Sequence, residues 1–192
     1  MKVVEVRNLA IPEIKVIRYG RFLDDRGFFT ETFRKSDFMR HPQLDFMKEV
    51  EFLQCNESYS KPGTVRGMHF QWNPYMGKLV RTLQGRMIDL ILDVRKGSPN
   101  FGKLIGYDMP ADHNADYADW IWVPPGFAHG FKALTERVEV LYKVTDYQYK
   151  EHERTLMWND PDLNINWGEK FDPIMSEKDM KGLSFEECEK YD

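Results

Sequence analysis

Short runs of apolar and β-branched residues, separated by turn-forming residues, follow one another along most of this chain. Between residues 50 and 158 none of the runs has the period of an amphipathic helix. Many short strands separated by glycine, proline, asparagine and aspartate are typical of a β-sandwich or barrel. The predicted strands lie near residues 50–57, 63–71, 78–84, 86–95, 101–109, 119–123, 127–134, 137–146 and 154–158, with further strand-like segments in 1–20 and 27–33.

Helical signals lie on either side of the predicted strands. Ser36 is placed as the N-cap of a short helix that ends before Pro42. After residue 176, the segments 176–179 and 184–187 each match a capping box. One or two short helices are therefore expected near the C-terminal end.

The alternation of side chains predicts which face of a strand is buried. Val138, Val140, Tyr142 and Val144 share one face of their strand, so Tyr142 is the one polar tip on an apolar face. Asp89 lies in a strand whose two faces are both largely apolar. A buried carboxylate needs a partner, so we expect one for Asp89.

Length and composition indicate one globular domain. The 192 residues are 42% hydrophobic and 30% charged, which is typical of a soluble protein with one core. We expect a single domain over residues 1–192, with its core at about 20–165 and a helical tail at about 176–190.

Charge and segment patterns exclude several classes of partner. The net charge of −4 disfavours nucleic acid, which binds basic surfaces. No apolar run is long enough to span a membrane, and the N-terminal residues do not resemble a secretion signal, so the cytoplasm is the expected location. Cys55 and Cys188 are far apart and predict neither a disulfide framework nor a metal site.

Three residues near one another in the sequence suggest acid–base chemistry. His69 follows Arg66 by three residues and precedes Lys78 by nine. A neutral imidazole is a suitable base, and a nearby cation stabilises the enolate formed when a proton leaves carbon beside a carbonyl. Tyr142 is a candidate acid on the opposite side. For both His69 and Tyr142 the alternative is a hydrogen-bonded core residue.

Strict alternation would place Arg66 and His69 on opposite faces of their strand. Gly67 lies between them, and a β-bulge at this glycine would turn one of the two side chains to the other face. The sequence leaves both arrangements open.

Other kinds of catalytic site lack their usual motifs. The chain contains no His-x-His or Cys-x-x-Cys pair, so a catalytic metal is not expected. It contains no Gly-x-Ser-x-Gly, no Gly-x-Gly-x-x-Gly and no P-loop, which disfavours a nucleophilic serine and a dinucleotide cofactor. We therefore predict chemistry without a cofactor.

Several ordered segments between residues 20 and 182 resemble the dTDP-4-dehydrorhamnose 3,5-epimerases of the RmlC type. These segments are 25–31, 54–58, 66–71, 77–81, 93–102, 125–131, 141–143, 158–161 and 176–179. The resemblance implies a metal-free cupin jelly roll that works as a homodimer. It also implies the conversion of dTDP-4-dehydro-6-deoxy-D-glucose to dTDP-4-dehydro-L-rhamnose by inversion at C3 and C5.

The resemblance also implies roles for individual residues. His69 is the base, Asp179 orients it, Tyr142 is the acid, and Lys78 lies near the C4 oxygen. A carboxylate that orients a histidine is also expected to raise its pKa. Residues expected to bind the substrate are Arg26, Phe29, Glu31, Gln54, Asn56, Ser58, Arg66 and His129, with Arg66 near the diphosphate, Arg26 reaching across the dimer and Asp89 supporting His129.

Two of these residues have structural alternatives. Asp179 is also the third helical residue of the Ser176 capping box. Arg26 has Asp24 and Asp25 as neighbours for a surface ion pair.

The chain departs from the family pattern in two places. The segment from His69 to Lys78 is one residue shorter than usual, and Gln148 follows Tyr147 where two adjacent tyrosines are common. Three functions therefore remain open: the double epimerase, an epimerase of C3 alone or ketoisomerase on a related nucleotide sugar, and a non-catalytic cupin that binds sugar nucleotides.

Overall fold

The computed structural model describes residues 1–169 and 171–191; residues 170 and 192 of the expected single domain lie outside the described residues. Helix α1 is Lys35–Arg40 and helix α2 is Glu177–Met180, with 3-10 helices at Pro42–Met47 and Lys150–His152. The strands are β1 (Val3–Asn8), β2 (Lys15–Gly20), β3 (Phe22–Asp24), β4 (Gly27–Phe29), β5 (Gln54–Ser60), β6 (Val65–Gln71), β7 (Lys78–Gln84), β8 (Arg86–Asp93), β9 (Leu104–Pro110), β10 (Tyr117–Val123), β11 (Phe127–Ala133), β12 (Val138–Val144) and β13 (Glu153–Thr155).

Two antiparallel sheets form the body of the protein. The six-stranded sheet has the order β1-β2-β10-β7-β12-β5, and the five-stranded sheet has the order β13-β6-β11-β8-β9. Strands β3 and β4 form a separate hairpin. The all-β jelly roll with short flanking helices is therefore confirmed, and most predicted strands lie within a few residues of the observed ones.

The main core fills the space between the two sheets. Apolar side chains of both sheets meet there because alternate residues of each strand point to the same face. Val138, Val140 and Val144 are buried on one face of β12, and Tyr142 packs against the same core, as alternation predicts. The face of β12 that includes Tyr142 thus points to the interior.

Segments outside the two sheets cover their outer faces. Apolar residues of α1 and the first 3-10 helix pack on the six-stranded sheet, and residues after 156 pack on the five-stranded sheet. The predicted cap at Ser36 is wrong, because α1 begins one residue earlier, after Arg34, and has no side-chain cap. Ser176 does cap α2, whereas 184–187 forms the hydrogen bonds of a capping box within a turn.

A β-bulge at Gly67 resolves the question of Arg66 and His69. In the ladder of β6 with β11, Arg66 pairs with Phe131 and His69 with His129, so two residues of β6 lie opposite one of β11. Gly67 has a φ of +111°, a conformation that side chains other than glycine rarely adopt. The bulge turns both Arg66 and His69 into one cavity.

Replacing Gly67 with alanine should lower the free energy of unfolding by about 2–5 kcal/mol through backbone strain and overpacking. An added Cβ would lie 2.5 Å from the Cα of Gly130 and 2.8 Å from the carbonyl oxygen of His129. Urea unfolding checks this. Gly97→Ala is the control, because nothing lies within 4 Å of its Cβ position and we expect a change of at most about 0.5 kcal/mol. Equal stability of the two variants would contradict the need for glycine in the bulge.

None of the helices formed by residues 1–169 and 171–191 is long and apolar enough to cross a membrane.

Candidate active site

A cavity of about 790 Å³ opens between the two sheets. Strands β5, β7 and β12 of one sheet and β6, β11 and β13 of the other contribute side chains to its wall, and α2 closes one side. Of the residues predicted from the sequence, it brings together His69, Lys78, Tyr142, Asp179, Arg66, Asn56, Ser58 and His129.

His69 and Asp179 form a hydrogen-bonded pair at the wall of this cavity. Nε2 of His69 contacts Oδ1 of Asp179, and Ser176 donates its hydroxyl to Oδ2 of the same carboxylate at 2.9 Å. The backbone N–H of Asp179 in turn donates to the Ser176 hydroxyl. Asp179 therefore takes part both in the helix cap and in the contact with the histidine, and the two interpretations of this residue are compatible.

Burial determines the charge of His69. It lowers the pKa of His69 below its ordinary value, although the hydrogen bond that His69 donates to Asp179 acts in the opposite direction. Asp179 thus raises the pKa of His69 as expected, but the effect of burial is larger and the net pKa is lowered. Burial alone would raise the pKa of Asp179, but the hydrogen bond with His69 lowers it below its usual range. At neutral pH the pair consists of a neutral imidazole and a carboxylate.

Lys78 supplies a positive charge near the histidine. Its ammonium donates to the carbonyl oxygen of His69 at 3.2 Å, and burial lowers its pKa to about 8. Glu153 and Asp89 oppose that shift through their charge. Lys78 thus stays mostly protonated at neutral pH but loses its charge at a pH only slightly higher.

Tyr142 is the buried hydroxyl that alternation predicts. Its oxygen lies 3.2 Å from Oγ of Ser58 on the neighbouring strand β5. Burial raises the pKa of Tyr142, so the phenol keeps its proton at neutral pH. A protonated hydroxyl inside a cavity is able to donate that proton to a bound molecule.

His129 and Asp89 form a second histidine–carboxylate pair. Nε2 of His129 lies 2.6 Å from Oδ1 of Asp89, and both side chains are buried. The predicted partner of Asp89 is thereby identified. The imidazole of His129 packs edge-on against the ring of Tyr142, with the centroids 6.3 Å apart. Within the described part of the chain, no group of three or more His, Cys, Asp or Glu side chains is arranged to hold a metal ion.

Polar side chains lie on the cavity wall and directly beside it. Arg66 donates to the Ser60 hydroxyl at 3.0 Å, which directs its guanidinium along β5. Gln54 donates to Asn56 at 2.7 Å, and Asn56 donates to Gln148 at 3.4 Å. These groups provide both donors and acceptors for a polar ligand.

Four predicted residues lie outside this cavity: Arg26, Phe29, Glu31 and Gln54. Arg26 and Phe29 belong to the β3–β4 hairpin. The side chain of Arg26 is 89% exposed and forms an ion pair with Asp24, and Phe29 is 70% exposed. Glu31 pairs with Arg34 and with the amino group of Met1. Within one chain, the surface ion pair is therefore the arrangement observed for Arg26.

The sequence interpretation missed two charged residues of the cavity that lie close to His69. Oε1 of Glu153 lies 3.6 Å from Nδ1 of His69, and Nζ of Lys178 lies 2.8 Å from the same carboxylate oxygen. Lys178 precedes Asp179 directly, which was the only available signal for it. Glu153 belongs to a polar run of residues 150–154 in which nothing distinguishes it from its neighbours.

Comparison with known proteins agrees with the resemblance. The family described as dTDP-4-dehydrorhamnose 3,5-epimerase matches residues 8–187. The dTDP-4-dehydrorhamnose 3,5-epimerase of Pseudomonas aeruginosa is 40% identical over 189 residues, which is 97% of this chain and 98% of that protein. The enzyme of the same name from Sinorhizobium fredii is 42% identical over 185 residues, covering 95% of this chain and 89% of its own.

A solved structure is similar over nearly the whole length. It is the dTDP-6-deoxy-D-glucose-3,5-epimerase RmlC of Legionella pneumophila, crystallised in complex with dTDP-4-keto-L-rhamnose. The TM-score is 0.87 and the sequence identity 34%, over 95% of this chain and 93% of that one.

Proposed function

Since the chain belongs to the dTDP-4-dehydrorhamnose 3,5-epimerase family, we propose that its cavity inverts C3 and C5 of dTDP-4-dehydro-6-deoxy-D-glucose, giving dTDP-4-dehydro-L-rhamnose. The chain is thus an isomerase. The observation that carries the proposal is the neutral His69–Asp179 pair in one cavity with the ammonium of Lys78 and the protonated hydroxyl of Tyr142.

In this proposal His69 is the base. The C4 ketone acidifies the protons on C3 and C5, and the imidazole removes one of them. Its lowered pKa supports this role, because the imidazole is neutral and free to accept a proton near pH 7. Asp179 fixes the ring and stabilises the imidazolium that forms.

Lys78 stabilises the negative charge that develops on the C4 oxygen. A fixed ammonium in a buried site is more effective there than in water, because little solvent screens it. Tyr142 then returns a proton to the other side of the carbon, which inverts its configuration. The reaction needs a base, a cation and an acid, and all three belong to the chain, so we propose that it requires no cofactor.

The nucleotide end of the substrate binds to the polar residues of the cavity and to a second subunit. We assign Arg66 to the diphosphate, because a guanidinium binds phosphate oxygens in pairs. Asn56, Ser58 and His129 provide hydrogen bonds along the cavity, and Gln54 donates to Asn56 from beside the wall. The exposed β3–β4 hairpin supports a homodimer in which Arg26, Phe29 and Glu31 of one subunit reach the nucleotide in the other.

The dimer proposal predicts complementation between two variants. Arg26→Ala and His69→Asn should each be at least about tenfold impaired in kcat/KM, because one loses a phosphate contact and the other the base. Co-expression should restore about a quarter of the wild-type rate, since half of the random dimers are mixed and each of these has one intact site. Steady-state kinetics of the co-purified subunits measure this.

Co-expression of His69→Asn with Tyr142→Phe is the control for complementation. Both side chains line the cavity of their own chain, so every site of a mixed dimer would lack one group and no activity should return. Absence of recovery with Arg26→Ala would contradict a hairpin that serves the neighbouring subunit.

Proton NMR in deuterated water tests the proposed function. On mixing the protein with dTDP-4-dehydro-6-deoxy-D-glucose, the signals of the C3 and C5 protons should both disappear while the 3,5-epimer forms. Loss of the C3 signal alone would replace the double epimerase with an epimerase of one centre, and Gln148 on the cavity wall would be the first residue to exchange for tyrosine. Binding without exchange would leave a sugar-nucleotide-binding protein.

A further inference from the structure

The imidazole of His69 lies between two carboxylates. Asp179 contacts Nε2, and Oε1 of Glu153 lies 3.6 Å from Nδ1 on the other side of the ring. The Glu153 side chain is only 12% exposed, and the ammonium of Lys178 holds it at 2.8 Å. Neither Glu153 nor Lys178 has a part in the mechanism given above.

The hydrogen bond to Asp179 decides which nitrogen of His69 accepts the proton. An ionised carboxylate has no proton to donate, so Nε2 must carry the hydrogen and Nδ1 the lone pair. The proton taken from the substrate therefore arrives at the nitrogen that faces Glu153.

At this position the interaction of Glu153 with His69 is more favourable after proton transfer than before it. A neutral imidazole gains little from the neighbouring carboxylate, whereas an imidazolium is attracted to it. Interactions that strengthen on the way to the transition state accelerate the chemical step. Lys178 limits the effect, because its own positive charge repels the imidazolium.

The same two residues act on Lys78. The negative charge of Glu153 favours the protonated ammonium of Lys78, and the positive charge of Lys178 disfavours it. The charged groups that face His69 and Lys78 come from three elements: Asp179 and Lys178 on α2, Glu153 on β13 and Asp89 on β8. Among them Glu153 and Lys178 act on both residues and form an ion pair with each other.

We propose that Glu153 and Lys178 are positioning residues that set the charge of the base and of the enolate-stabilising cation together. This inference rests on the proposed roles of His69 and Lys78. Glu153 favours the protonated form of both groups, and Lys178 opposes it. The pair thereby determines the pH range in which His69 is neutral while Lys78 is charged.

Glu153→Gln should move the pH profile of kcat/KM to lower pH by about one unit. Without the negative charge, His69 loses its proton at lower pH, so the acidic limb moves down. Lys78 also loses its proton more readily, so the alkaline limb moves in the same direction. Above pH 8 the rate should therefore fall about tenfold relative to the unchanged protein.

Lys178→Gln should move both limbs to higher pH, because a positive charge has been removed from beside both groups. The matched controls are Glu151→Gln and Lys181→Gln, which make the same charge changes at exposed positions outside the cavity wall. Their profiles should coincide with that of the unchanged protein. Opposite shifts from the two test variants support the proposal.

Two outcomes would overturn the inference. One is a uniform loss of rate with neither limb of the pH profile moved, and the other is a shift of both variants' pH profiles in the same direction. NMR titration of the His69 ring in the substrate-free protein separates this failure from failure of the proposed function. The Glu153→Gln variant should lower the pKa of His69 in that titration even if His69 proves not to be the base. An unchanged His69 titration in both variants refutes the pair's role directly.

Discussion

His69→Asn should reduce deuterium incorporation into dTDP-4-dehydro-6-deoxy-D-glucose by about 10³–10⁴-fold. Among the described residues, no other histidine of the cavity wall contacts both Asp179 and Lys78. Asparagine keeps a donor for Asp179 and approximates the size of the ring, so the cavity wall should remain in place. Exchange at C3 and C5, followed by proton NMR, measures the loss.

His113→Asn is the matched control for the loss of the base. His113 is exposed, binds the carbonyl oxygen of Leu83 and does not line the cavity, so the exchange rate should stay within about twofold of the original. Calorimetric titration with dTDP should give similar affinities for both variants, since neither change touches Arg66. Exchange by His69→Asn at more than a tenth of the original rate would show that another group removes the proton.

Tyr142→Phe should separate exchange from inversion. His69 still removes a proton and returns a deuteron to the same side, so we expect exchange within about tenfold of the original rate. Formation of the 3,5-epimer should fall by about 10²–10⁴-fold, because the opposite side has lost its proton donor. Integrated NMR signals of substrate and epimer in one reaction provide both rates.

Tyr117→Phe removes a hydroxyl outside the cavity and controls for the change of residue type. Its ring lies beneath the guanidinium of Arg18, a contact that phenylalanine preserves. Both exchange and inversion should be unaltered. Normal epimer yield from Tyr142→Phe would assign the returning proton to another group, and equal loss of exchange and inversion would mean that the hydroxyl acts before protonation.

Burial has opposite consequences for the three groups that we propose take part in the reaction. It lowers the pKa of His69 and Lys78 and raises that of Tyr142, since each group loses the solvation of its charged form. The imidazole is therefore neutral, and the phenol keeps its proton. Lys78 has a pKa of about 8, so it begins to lose its charge just above neutral pH, and the negative charges of Glu153 and Asp89 oppose that loss.

Much of the fold could be read from local patterns. The alternation in β12 placed Tyr142 on the interior face, and the buried strand β8 required a partner for Asp89. The helix ends were less predictable: the chain begins α1 one residue before the expected cap, and 184–187 remains a turn. Short helices at the surface depend on what they pack against more than on their own sequence.

The candidate site was predicted in part. The segments that resemble the family contain the residues predicted from the sequence. Eight of these residues line one cavity: Asn56, Ser58, Arg66, His69, Lys78, His129, Tyr142 and Asp179. Glu153 could not be identified, because a carboxylate in a polar run has no local feature that distinguishes a buried one from an exposed one. Its importance arises only from its distance to His69.

The sequence by itself determined the fold class and the family and indicated the groups proposed to react, because strand periodicity and motif residues are properties of neighbouring positions. Only the tertiary structure decided that Arg66 and His69 share a face, since the bulge at Gly67 depends on the register with β11. It also decided the charge of each group. Solvation and Coulomb interactions depend on distances between residues far apart in the chain, such as the 110 positions between His69 and Asp179.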